Sequence, residues 1–395
     1  MLNTPFPPWP SFTQEEASAI QSVLLSNKVN YWTGQEGRKF EKEFSGWVGC
    51  NHAVALANGT LALDLSLKTL GVGVGDEVIV TPRTFLASVS SVVTAGAIPV
   101  FSDVDLNTQN IEAAQIEKAI SSKTKAIIVV HLAGMPAEMD AIMLLAKKHN
   151  LFVIEDCAQA HGAKYKGKSV GTLGHVGCWS FCQDKIMSTG GEGGMVTTND
   201  EVLWKKMWAY KDHGKSWDAI YCKEGNKQHP PGFRWLHESF GTNWRMTEMQ
   251  AAIGRIQLKR MLGWSKKRQC NGAAIDSVAV NFSVVRTVNV PDYSEHAEYK
   301  HYLFVVPENL KSDWSRDRIV DEINSRGVPC FQGSCSEVYL EKAFDNTGWR
   351  PINRLVNAKV LGETSLMFLV HPTLTDDVIN KMSEVLSEVF ATAQV

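Results

Sequence analysis

AIIVVHLAGMPAEMDAIMLLAKKHNLFVIED (126–156) holds two apolar runs separated by one amphipathic stretch. The runs AIIVV and LFVI are rich in β-branched residues and do not alternate with polar ones, as expected of strands buried on both faces. Between them, AEMDAIMLLAKKHN spaces its apolar residues as a helix does. Strand, helix and strand in that order predict a parallel pair with a crossover.

The same grammar extends in both directions. HAVALAN (52–58) leads through GT into LALDLSLKTLG, and DEVIVTP (76–82) leads into FLASVSSVVTAG and then IPVFSDVD. The region 52–200 therefore reads as an α/β unit around a mainly parallel sheet. TEMQAAIGRIQLKRMLGWSKKR (247–268) is a long helix suited to join two domains. Beyond about residue 270, YKHYLFVVP, SRDRIVDEINSRGV, SLMFLVHP and TDDVINKMSEVLSEVFATA read as strand, helix, strand, helix. The expected division is a large domain over 1–265 and a smaller α+β domain over 266–395. KSWDAIYCKEGNKQHPPGFRW (215–235) is turn-rich and reads as a long ordered loop near the site.

Composition excludes several classes of function. The 395 residues carry 40 basic and 42 acidic side chains, well mixed, so neither nucleic acid nor a membrane surface is an expected main partner. No apolar run approaches a membrane span, and MLNTPFPPWPSF lacks a secretory pattern, which together imply a cytoplasmic protein. Eight cysteines are scattered without a C-x-x-C pair, as for reduced thiols. Cys178 and Cys182 share one expected strand, but no histidine or carboxylate stands at zinc spacing, so no metal is expected.

In open α/β sheets ligands bind beyond the carboxyl ends of the strands. Those ends carry Asn58-Gly59-Thr60, Phe85, Asp156 with Gln159, Ser180 and Lys185. Glycine and a helix amino terminus suit a phosphate, although Asn-Gly-Thr also serves as an ordinary turn and cap. Ser180 adds a hydroxyl for the same anion. Asp156 ends a buried strand, where a carboxylate either caps a helix opening at Cys157 or faces a cationic ligand atom. Lys185 is either a solvated loop residue or an amine held for a carbonyl, and the glycine-rich STGGEGGM after it favours the second reading. A phosphate cradle, an acid for a ring nitrogen, an amine and a stacking aromatic together describe a pyridoxal 5′-phosphate site.

EDCAQAHGAKYKGKSVGTLG (155–174), WSFCQDKIMSTGGEGGMVTTND (179–200) and GTNWRMTEMQAAIGRIQL (241–258) resemble, in order and separation, the signatures of the DegT/StrS-type sugar aminotransferases. The resemblance implies the aspartate-aminotransferase-like fold (fold type I) and a homodimer with sites at the subunit interface. It casts Lys185 as the Schiff-base lysine, Asp156 as partner of the pyridinium nitrogen and Gln159 as partner of the ring hydroxyl. Gly59, Thr60 and Ser180 match phosphate binders, and Phe85 matches the stacking aromatic. Asn243 matches an asparagine that reaches the neighbouring subunit's phosphate.

Two departures bear on the substrate. FCQDK stands where FHPTK is commoner, without touching the lysine. Members acting on nucleotide-linked sugars often carry an HxHPLHxQ-like run where this chain has VPCFQGSCSEVYLEKAF (328–344). The opening FPPWPSF and the long 215–235 loop look more like members acting on free sugars, cyclitols or amino-shikimate precursors. A free keto or aldehyde sugar aminated by glutamate, with 8-oxo-Kdo giving 8-amino-Kdo, a lipopolysaccharide sugar, is the leading expectation. A nucleotide-linked keto sugar is the alternative. A sugar dehydratase on the same fold is the nearest rival chemistry, but one kind of family dehydratase has histidine in place of the lysine. A fold kept without catalysis is disfavoured by the intact lysine, aspartate and cradle, and a nicotinamide enzyme by the lack of G-x-G-x-x-G near the start. Arg83, Arg234 and Arg245 are the candidates for gripping the donor's carboxylate.

Overall fold

Period two governs how the central strands are covered. The computed structural model describes residues 5–221 and 236–395. Within them, β1 (His52–Leu56), β2 (Glu77–Val80), β3 (Ile98–Phe101), β4 (Thr124–Val130), β5 (Phe152–Asp156), β6 (Val176–Ser180) and β7 (Gly194–Thr198) form one sheet in the order β1-β7-β6-β5-β4-β2-β3. The five strands from β3 to β6 in that order pair in parallel, whereas β7 runs antiparallel to both β6 and β1. On β4, Ile127 and Val129 pack with Ile142 and Leu145 of the helix Met139–His149. Ile128 and Val130 face the other way, toward Val89 and Val92 of the helix Ala87–Thr94. Both faces are dry, which is why the run reads as uniformly apolar.

The second sheet is antiparallel, with β8 (Val285–Thr287), β9 (His301–Val305), β10 (Cys330–Phe331) and β11 (Ser365–Phe368) in the order β8-β9-β11-β10. Thr247 and Gln250 form a capping box that opens the helix Glu248–Ala279. Its first half packs Ala251, Leu258 and Met261 beside Trp179 of β6, and its second half packs Ile275 and Ala279 beneath the second sheet. The sequence-based division at 265/266 falls inside this helix. Further stitches cross it: Ser294–Glu295 pairs with Lys164–Tyr165, and Val338, Tyr339 and Phe344 join the core under the large sheet.

Four details differ from the sequence reading. The long helix continues eleven residues past 268, through QCNGAAIDSVA. The run GMVTT, whose first two residues close the glycine-rich STGGEGGM, is strand β7. Cys182 lies beyond the end of β6, so it does not share a strand with Cys178. Residues 157–163 form turns, not a helix. Of the 215–235 stretch, Trp217–Tyr221 is helical and 222–235 lie outside the described residues.

Candidate active site

Gly194 lies opposite both Leu56 of β1 and Ser180 of β6, so β7 brings two strand ends to one point. A Cβ on Gly194 would stand 2.2 Å from the Asn58 carbonyl oxygen, and one on Gly59 would stand 2.5 Å from Ser180 Cβ. Only glycine lets the turn after β1 fold this closely over Ser180. Asn58 then caps the helix Gly59–Thr69, its Oδ1 accepting the Leu61 N–H (3.0 Å). Both sequence readings of Asn-Gly-Thr are thus compatible, because capping Leu61 leaves the first N–H groups, on Gly59 and Thr60, for another acceptor.

Gly59, Thr60, Phe85, Asp156, Gln159, Ser180 and Lys185 all line one cavity of about 510 Å³. Asp156 ends β5 and is buried. Ser88 Oγ–H donates to its Oδ2 (2.8 Å) and the Ala158 N–H to its Oδ1 (3.1 Å). Ser88 is in turn within 2.8 Å of the Thr84 hydroxyl. Among the described residues no cation lies within ion-pair distance of Asp156. Burial accordingly pushes its carboxyl up from the ordinary value, against the pull of Ser88, Ala158, Lys185 and His131. A buried carboxylate that is hydrogen-bonded but not neutralised is matched to a cationic ligand atom.

Lys185 sits in a bend after β6, largely covered, its Nζ 3.4 Å from Asp184 Oδ1 and 5.1 Å from the centre of the Tyr299 ring. Tyr299 O–H donates to Asp184 Oδ2. From the other end of the chain, Trp9 Nε1–H donates to the Lys185 carbonyl (2.7 Å). Gln159 accepts the Ala133 N–H through Oε1 (2.7 Å), and Phe85 stands exposed at the cavity mouth. Ser88, Asp184 and Tyr299 are not among the residues that the sequence singles out. Asp184 adjoins the lysine and was the one with a local signal.

Asn243 does not line the cavity; it is exposed and bridges Asp212. Nor do the described arginines. Arg83 is fully buried, its guanidinium donating to Gln109 (2.9 Å), Ser336 (2.7 Å) and Ser365 (3.0 Å). Arg245 pairs with Asp212 (2.6 Å). Arg234 lies outside the described residues. Among the described residues His131, Glu155 and Cys157 form a group of metal-type ligands, none of which lines the cavity. There Glu155 is occupied by His131 and by the N–H groups of Gly171, Leu173 and Gly174.

Residues 10–387 match the DegT/DnrJ/EryC1/StrS aminotransferase family. The chain belongs to this family. An aminotransferase from Psychrobacter cryohalolentis, solved by X-ray crystallography, is 62% identical and superposes with a TM-score of 0.96 over 98% of this chain and 100% of that one. The GDP-perosamine synthase of Caulobacter vibrioides is 36% identical over 75% of this chain and 76% of its own. The 3-amino-5-hydroxybenzoic acid synthase structure is 27% identical, with a TM-score of 0.85 over 98% of this chain and 99% of that one. This aminotransferase therefore has the fold type I architecture, depends on pyridoxal 5′-phosphate and acts in sugar biosynthesis. The glycine cradle, helix amino terminus and unneutralised Asp156 fit that cofactor. Among the described residues no helix is long and apolar enough to cross a membrane.

Proposed function

We propose that this sugar aminotransferase transfers the amino group of glutamate to a free keto or aldehyde sugar, with 8-oxo-Kdo giving 8-amino-Kdo as the leading substrate, in lipopolysaccharide biosynthesis in the cytoplasm. The observation that carries the choice of a free sugar lies in residues 328–344. Val338 donates its N–H to the Pro82 carbonyl (2.9 Å), and Tyr339 packs its ring 5.3 Å from Phe101. Val338 and Tyr339, in the run that stands where nucleotide-sugar members often carry histidines, here serve internal packing. The test is to load the enzyme with cofactor and glutamate, remove the donor, and offer keto sugars one by one. Reoxidation by 8-oxo-Kdo and not by nucleotide-linked keto sugars is expected; the reverse preference overturns the substrate choice.

The cofactor, when bound, supplies a carbonyl that exchanges amines and a ring that accepts electrons. In this reading Lys185 holds the cofactor and moves a proton at the reacting carbon, as general base and then acid. Asp156 keeps the ring nitrogen cationic, Ser88 and Ala158 hold that carboxylate in place, and Gln159 bonds the ring hydroxyl. Gly59, Thr60 and Ser180 bind the phosphate, and Phe85 covers the ring.

Asn243 belongs, in the same reading, to a neighbouring subunit's site. Its exposure in this chain, with the almost wholly exposed Phe240 (99%) three residues before it, supports a segment that meets another surface. In a two-fold dimer each site would use Lys185 of one chain and Asn243 of the other. Mixing Lys185→Ala with Asn243→Ala chains should then create heterodimers with one intact site. Activity above that of either parent is expected once subunit exchange is verified by mass. No rise would place Asn243 outside the shared site.

A further inference from the structure

Beyond Lys185 the cavity opens into a second lobe of about 350 Å³ bordered by the second sheet. Its lining includes Phe85, Gln159, Asp184 and Lys185 together with Lys300, just before β9, and Phe331, Met367 and Leu369. Lys300 Nζ stands 4.8 Å from the centre of the Tyr299 ring, the same ring that Lys185 approaches at 5.1 Å. Two ammonium groups thus share one tyrosine. The nearby carboxylate, Asp184, is held by the Tyr299 hydroxyl and by Lys185. Lys300 has no carboxylate within 4.0 Å among the described residues, although it is half-buried. Burial brings its ammonium down to about 8; Asp184 opposes that fall, while Arg268 and Lys185 deepen it.

A half-buried cation without a counter-ion, facing apolar walls beside the reacting amine, is a receptor for an anion. Of the described candidate arginines, Arg83 is held by Gln109, Ser336 and Ser365 and Arg245 pairs with Asp212, and neither lines this lobe. We propose that Lys300 receives a substrate carboxylate, which makes the second lobe a subsite selecting acidic substrates over neutral ones. Ser334 also lines this lobe. The carboxylate comes from the amino-acid donor or from a sugar acid, and the two half-reactions separate these sources. The inference rests on Lys185 marking the reacting end of the cavity.

Lys300→Met keeps the length and the stem packing but removes the charge, and Lys300→Arg retains the charge. Glutarate binding to cofactor-free protein, measured by calorimetry, should weaken about 10- to 100-fold in Lys300→Met and persist in Lys300→Arg. In single turnovers, glutamate compared with its two monoamides reports the donor arm. The sugar acid compared with its methyl ester reports the acceptor arm. A loss confined to charged partners in the donor arm assigns the lobe to the donor; the same loss in the acceptor arm assigns it to the sugar acid. Unchanged glutarate binding, or equal losses for charged and neutral partners in both arms, overturns the proposal. If the wild type aminates no sugar, the substrate reading fails by itself, while the glutarate measurement still judges Lys300.

Discussion

Replacing Lys185 with alanine should abolish amino transfer, by at least about 10⁴-fold, the upper range for removing a general acid–base, and leave the fold intact. The side chain ends in a cavity and its ion pair is with a half-exposed aspartate (Asp184, 56%), so its loss opens no hole in the core. The direct check is chemical. Borohydride should fix the cofactor to a peptide containing Lys185 in the wild type and to none in the variant. The neighbouring lysine makes this a sharp experiment, because Lys300 shares the Tyr299 ring with Lys185. Cofactor recovered on Lys300 would transfer the role to that residue and sink the assignment.

The second large effect belongs to Asp156. At roughly 3 Å and an effective dielectric near 20, its attraction for a cationic ring nitrogen is about 5 kcal/mol before desolvation. Asp156→Asn keeps the size and still accepts from the Ala158 N–H, while the Ser88 hydroxyl turns to accept from the new amide N–H, so the main change is the lost charge. Losing about 3–5 kcal/mol of transition-state stabilisation lowers turnover roughly 10²- to 10⁴-fold. Stability should move the opposite way. The carboxyl's value in the folded, cofactor-free chain lies above its ordinary 3.8, so raising the pH through that range disfavours the folded state. Cofactor-free Asp156→Asn should therefore melt higher than the wild type at neutral pH. Normal turnover with full cofactor loading would reduce Asp156 to a cap for Ala158.

Which parts of this molecule were legible in the sequence follows from how local their causes are. Strands β2, β4 and β5 announce themselves because burial on both faces leaves an unbroken apolar run, and their carboxyl ends then locate Asp156 without further help. Strand β7 is hidden because its first residue must be glycine for packing reasons, and a glycine after GGEG reads as more loop. The tail of the long helix is hidden because residues 269–279 mix Gln, Asn, Gly and Asp among small apolar residues, and its packing partners lie on the second sheet. The arginines misled for a related reason. Type and position made Arg83 and Arg245 plausible anchors, but Gln109, Ser336, Ser365 and Asp212 had already claimed them. Lys300 has no such local signal, since apart from Tyr299 the lobe it lines is built from residues near 184, 333 and 367.

Trp9 gives the amino-terminal segment a mechanical connection to the chemistry. Its indole is tied to the backbone of Lys185, lies 5.9 Å from the His371 ring just past β11, and is covered by the Arg268 guanidinium of the long helix at 5.0 Å. The long helix, the segment past β11 and the backbone of Lys185 therefore meet on one side chain. A change anywhere in residues 5–10 that moves this indole would be felt at the backbone that carries Lys185, far away in sequence.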